Sequence, residues 1–170
     1  MLSVVIPAHN EEALLPGTLA ALRDAMATVG VDHEIIVVSD SSTDRTAAIG
    51  RAAGARVVEV EVRQIAGARN AGARLASGDI LLFVDADTHA RPAPVRQALD
   101  AIAQGAVGGG ALIEFEGEIP AWSRIMLPPI MLLFRTFRYC GGCFLFCRRD
   151  KMDMWYGPKA REPVAVDPRA

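Results

Sequence analysis

Two carboxylates one residue apart, delivered by a run of aliphatic and aromatic residues, are the strongest chemical signal in this chain: Leu81-Leu82-Phe83-Val84-Asp85-Ala86-Asp87. Neighbouring anions at the end of a buried strand repel each other unless something neutralises them. A hard divalent cation, Mg²⁺ or Mn²⁺, does so, because it takes oxygen ligands, keeps part of its water shell and bridges carboxylates to substrate phosphates. An exposed acidic turn in which one aspartate caps the next helix would need no metal.

Three other segments carry polar groups at the ends of apolar runs. Val4-Val5-Ile6 leads into Pro7-Ala8-His9-Asn10-Glu11-Glu12, a rigid proline followed by hydrogen-bonding groups where a helix would begin, although Asn10 and the glutamates also suit a plain N-cap and first turn. Ile35 to Ser39 leads into Asp40-Ser41-Ser42-Thr43-Asp44. Thr43 or Asp44 can cap the following helix, whereas Asp40 at the strand tip is free for a base or ribose. In Ala68-Arg69-Asn70-Ala71-Gly72 the small residues suit close helix–sheet packing, and the Arg69 fork suits planar acceptors and phosphates.

The elements that must position these groups follow from the same patterning. Continuous apolar runs over 2–6, 34–39, 55–60 and 80–84, with further strands expected over 110–115 and 143–147, predict strands covered on both faces. Helix-compatible stretches over 12–29, 44–53, 66–76 and 94–104 alternate with them. That order predicts an α/β fold, a Rossmann-like and mostly parallel sheet flanked by helices, whose ligands bind at the carboxyl ends of the strands.

The four segments, in this order across residues 2 to 116, resemble family 2 glycosyltransferases of the GT-A fold. The resemblance implies that Pro7, Ala8, His9 and Glu11 line a nucleotide pocket, that Asp40 and Arg69 contact the base, and that, around Ala86, Asp85 contacts the ribose or the metal and Asp87 the metal. It also implies a UDP- or GDP-linked sugar donor, inverting transfer, and a glycan, lipid-linked or small-molecule acceptor. His9 stands where tyrosine is common in the family, and Ser39 and Ser41 replace a frequent aspartate and glycine. The general base that such transfer needs is not identifiable: Arg149 is followed by Asp150-Lys151-Met152-Asp153 instead of the family's acceptor-side pattern. The expected organisation is a donor-binding subdomain over 1–118, an incomplete acceptor-side segment over 119–150 and a loose tail over 151–170, as in a chain truncated on its acceptor side.

Composition narrows the alternatives. Eighteen basic against twenty acidic residues give a net charge of −2, which offers no electrostatic case for nucleic acid. Three cysteines at 140, 143 and 147 fit reduced thiols better than a disulfide framework or a four-ligand zinc site. Met1-Leu2-Ser3 runs into Val-Val-Ile-Pro without signal-peptide features, so a cytoplasmic protein is expected, with peripheral contact at the inner membrane face as an extension. The apolar but proline-interrupted stretch over 119–137 suggests membrane-surface contact, a homodimer interface or buried core. His33 and His89 are expected at the surface, and Glu114, Glu116 and Glu118 on a solvated strand edge. Against an active transferase stands an inactive nucleotide-sugar-binding or partner-associating module. A nucleotidyltransferase or dinucleotide oxidoreductase would need glycine-rich first loops that are missing here.

Overall fold

The computed structural model describes residues 1–111, 126, 128, 129, 132 and 142–152. The described elements run β1 (Leu2–Ala8), α1 (Leu15–Val29), β2 (His33–Asp40), α2 (Thr46–Ala52), β3 (Arg56–Val60), α3 (Ile65–Leu75), β4 (Ile80–Val84), α4 (Pro92–Ala103), β5 (Gly108–Gly110) and β6 (Phe144–Arg148), followed by a short 3₁₀ turn over Arg149–Lys151. They form one sheet of order β3-β2-β1-β4-β6-β5, in which β1 to β4 are parallel and β6 runs antiparallel to both of its neighbours.

Every residue of β1 is buried, because β1 pairs on both edges and carries helices on both faces. Leu2, Val4 and Ile6 point into one core with Leu15, Leu19, Leu22 and Met26 of α1 and Val95 and Ala98 of α4. Val5, Ile36, Val38 and Phe83 point into the other with Ala68, Ala71 and Ala73 of α3. Each fully buried Leu, Ile or Phe contributes roughly 1.5–3 kcal/mol relative to exposure. The small residues of α3 are a geometric requirement: a Cβ built on Gly72 would collide with Val5 Cγ1 and Val38 Cγ2. That close approach brings Arg69, one turn earlier, against the sheet.

Element ends differ from the sequence reading in instructive ways. The first helix begins at Leu15 instead of Glu12, because the Glu12 amide donates to Asp44 Oδ2 and its carboxylate takes the Arg45 amide. The second begins at Thr46 instead of Asp44, whose Oδ1 accepts from the Thr46 amide and hydroxyl. The strand expected over 110–115 is paired at Gly108–Gly110, where the glycine backbone lies against the Phe146 ring; residues 112–115, with Glu114, fall outside the described residues. Also outside them are Cys140, Glu116, Glu118, the tail from 153 and most of the 119–137 stretch. Among the described residues no helix is long and apolar enough to cross a membrane.

At the amino ends of the strands a polar latch closes the sheet. Glu34 Oε1 accepts from Ser3 Oγ and the Ser77 amide, and Ser3 Oγ accepts from the Gly78 amide. Burial alone would raise the Glu34 carboxyl, but these hydrogen bonds, with help from Arg56, hold it below its ordinary value. A carboxyl depressed in the fold stabilises above its unfolded pKa, and that stabilisation is lost as pH falls through the folded value. Glu34→Gln is therefore expected to lower the melting temperature at pH 7, and the gap to wild type should close as pH falls below about 4. A gap independent of pH, followed by circular dichroism, would show that the latch acts by shape and not by charge.

Candidate active site

The carboxyl ends of β3, β2, β1 and β4, neighbours in the sheet, open into one cavity of about 720 Å³. Its lining includes Pro7 and Ala8 at the end of β1, His9 and Glu11 after it, Asp40 at the end of β2, and Asp85, Ala86 and Asp87 after β4. Eight of the nine residues singled out from the sequence thus share one wall, and the ninth, Arg69, stands behind it. The turn after β3 and the first residue of α3 add Arg63, Gln64 and Ile65, which sequence reasoning did not single out. Their position at a strand end was the available signal. Glu61-Val62-Arg63-Gln64 contains none of the Gly, Asn, Asp or Ser residues that usually mark such a turn.

Asp85 and Asp87 leave β4 in a short turn pinned from three sides. The Asp85 amide donates to Cys143 O, the Thr88 amide to Asp85 O, and the buried Thr18 hydroxyl of α1 to Ala86 O. Ala86 is buried between the carboxylates, so Asp85 and Asp87 both face the opening. Arg69, only 7% exposed, donates through Nη2 to Asp85 Oδ1 at 2.5 Å and to Gly142 O at 2.7 Å, tying α3, β4 and the approach to β6 together. Its Nε is buried with no acceptor among the described residues.

Asp40 lines the cavity and also serves the fold. Its Oδ1 accepts from the amides of Val62 and Arg63 and from Ser41 Oγ, and its Oδ2 accepts from the Gln64 amide, so its carboxylate organises the turn after β3. Its carbonyl takes a hydrogen bond from His9 Nδ1 at 2.6 Å, which fixes the imidazole against the next strand end. Asn10 Oδ1 accepts from the Thr43 amide, and Glu11 N donates to Thr46 Oγ1. Asn10, Ser41 and Arg63 are the non-glycine residues with left-handed backbone among those described, and all three line the cavity. Such conformations persist only where surrounding bonds over-determine them, and here each belongs to this network.

Burial, followed by the Asp87, Asp44 and Asp85 carboxylates, pushes the Glu11 carboxyl above its ordinary value, with His9 opposing. This end of the cavity therefore carries excess negative charge. No set of three or more His, Cys, Asp or Glu side chains among the described residues converges on one metal position. The acidic end nevertheless fits a hard divalent cation, which is commonly held by only one or two carboxylates and completes its shell with water and phosphate oxygens.

The cysteines do not add to the site. Burial pushes the Cys147 thiol in β6 up to about 11, and burial with the nearby Asp85 also raises Cys143; both are free thiols. His33 is half-buried, with Nδ1 bonded to Val31 O, and His89 is exposed. Asp150 is exposed beyond β6 and held below its ordinary value by Arg148, which it meets through both oxygens.

Residues 3–153 match the family model for glycosyl transferase family 2, and the chain belongs to that family. Over 107 residues it is 41% identical to validoxylamine A glucosyltransferase of Streptomyces hygroscopicus subsp. limoneus, covering 59% of this chain and 23% of the relative. Over 131 residues it is 36% identical to undecaprenyl-phosphate 4-deoxy-4-formamido-L-arabinose transferase of Pseudomonas aeruginosa, covering 73% and 38%. Among solved structures, glucosyl-3-phosphoglycerate synthase from Mycobacterium tuberculosis, in complex with Mn²⁺, UDP-glucose and phosphoglyceric acid, aligns with a TM-score of 0.59 and 26% identity over 88% of this chain and 57% of that one. The fold is GT-A, as expected from the four motifs. The chain spans less than two fifths of the length of these two curated relatives.

The Arg69–Asp85 pair yields a direct test. Arg69→Leu leaves a partly buried carboxylate without its counter-charge and is expected to cost about 1–3 kcal/mol of unfolding free energy. Asp85→Asn in the same background should restore part of that loss. Additive losses in urea denaturation of the single and double variants would mean that the two side chains are not coupled.

Proposed function

We propose that this chain binds a nucleoside-diphosphate sugar with a divalent cation and serves as the donor side of an inverting glycosyltransferase. The observation that carries this reading is the cavity shared by four adjacent strand ends, with Asp85, Asp87 and Glu11 at one end and Arg63, beside the Asp40 carboxylate that holds its turn, at the other. Asp87, with Asp85, would hold Mg²⁺ or Mn²⁺, which when bound offsets charge growing on the departing diphosphate. The Mn²⁺ and UDP-glucose in the complex of the mycobacterial synthase support that choice of ligand. Pro7, Ala8 and His9 would flank the nucleoside, UDP- or GDP-linked, while Ala86 spaces the two carboxylates. Arg69, bonded to Asp85 and Gly142 O, would set the aim of Asp85 instead of touching the base. Names of the relatives, one acting on undecaprenyl phosphate and one bound to phosphoglyceric acid, support a lipid-linked or small-molecule acceptor.

A second reading, a module that binds donor without transferring it, is favoured by the acceptor side. Among the described residues the only carboxylate beyond β6 is Asp150, which is paired with Arg148 and lies outside the cavity lining. The two readings share donor binding and part at turnover.

Titration of UDP and GDP into the chain with and without Mn²⁺ is expected to show binding that depends on the metal. Asp87→Ala should weaken the Mn²⁺-dependent part by more than about tenfold, since even outer-shell partners of a metal are worth about 10–100-fold. Its melting temperature should stay near wild type, because Asp87 is exposed. Equal binding by the variant would overturn the metal assignment, and sugar transfer by the same sample would exclude the inactive module.

A further inference from the structure

We propose that Arg63 is the residue that reads the nucleobase, selecting bases with a carbonyl at pyrimidine C4 or purine C6, uracil or guanine, over cytosine and adenine, which carry an amino group at that position. The inference rests on the donor-binding reading above and adds a specificity determinant to it.

Three observations converge on Arg63. Among the described residues it is the only lysine or arginine that lines the cavity, and no acceptor among them engages its guanidinium. It follows β3, whereas Asp85 and Asp87 follow β4, and the order β3-β2-β1-β4 separates them by three strand spacings, about 14 Å. A nucleotide whose diphosphate meets a cation at Asp87 therefore extends its base toward the turn after β3. That turn is also held in place: Arg63 has φ 47, and Asp40 clamps it by accepting the amides of residues 62, 63 and 64. The Arg63 side chain is exposed and lines the cavity, and what fixes its origin is the left-handed backbone held by the buried Asp40 carboxylate.

The chemistry of the group sets the preference. A guanidinium has five donors and no acceptor. It complements the carbonyl oxygen that uracil and guanine carry where cytosine and adenine carry an amino group, and it opposes that amino group donor to donor. Asp40, whose oxygens accept the three amides of the turn, acts on the base through Arg63 and is a positioning residue.

Calorimetric titration of the full chain in Mn²⁺ with UDP, GDP, CDP, ADP and pyrophosphate tests this. Wild type should bind UDP or GDP at least about tenfold more tightly than CDP and ADP. Arg63→Gly, which suits the left-handed backbone, should remove that preference while leaving pyrophosphate binding unchanged. Asp40→Asn should remove it too, and the double variant should lose no more than Arg63→Gly alone, with melting curves confirming that each is folded. An equal loss for all ligands, pyrophosphate included, would make Arg63 a phosphate contact and overturn the proposal, as would an unchanged preference in Arg63→Gly. Additive losses would remove Asp40 from the account. Wild type that binds neither the nucleotides nor pyrophosphate would instead overturn the donor-binding reading on which the proposal stands.

Discussion

Charge at the carboxyl end of β4 governs the architecture around it. Asp85 sits at the tip of a buried strand with Asp87 two residues on, and Glu11 and Asp44 add further negative charge nearby. Uncompensated, such a cluster would repel itself and lower the stability of the strand ends. Arg69 supplies the fixed positive charge, and it can do so only because Ala68, Ala71 and Gly72 bring α3 hard against Val5 and Val38. The packing of one helix on one sheet face thus decides whether two carboxylates can be held at the mouth of a cavity. The charge that Arg69 leaves unmatched is the part available to a bound cation.

A second consequence runs along the sheet edge. His9 bonds to the Asp40 carbonyl, Asn10 to the Thr43 amide, Glu12 to the 44–45 segment, and the Asp40 carboxylate to three amides after β3. Each loop is held by the one beside it, so three residues remain in left-handed conformations that an isolated loop would leave. Preorganisation of this kind lowers the entropy that a ligand must offset on binding. The amino ends of the strands show the opposite design, a small Glu34–Ser3 latch with no cavity residue in it.

The parallel core and most of the cavity were legible in the sequence because both rest on local patterns. Continuous apolar runs set β1 to β4, and polar groups directly after three of them set the lining from His9, Asp40 and Asp87. What was not legible depends on contacts across 16 or more residues. Asp40 reads as a ligand group alone until the amides of 62–64 are seen to bind it as well, and Arg63 carries no turn signature of its own. Arg69 reads as a pocket group until its partner Asp85, 16 positions on, is placed. The antiparallel setting of β6 likewise follows from a return across the sheet that apolar patterning cannot express.

The most direct test of the account is a crystal structure of this chain soaked with Mn²⁺ and UDP, with anomalous scattering used to locate the metal. The account predicts a Mn²⁺ peak against the Asp87 carboxylate, with the diphosphate bridging to it and the uracil lying toward the turn at 62–64. A peak elsewhere, or a nucleotide bound outside the cavity formed by the four strand ends, would contradict it.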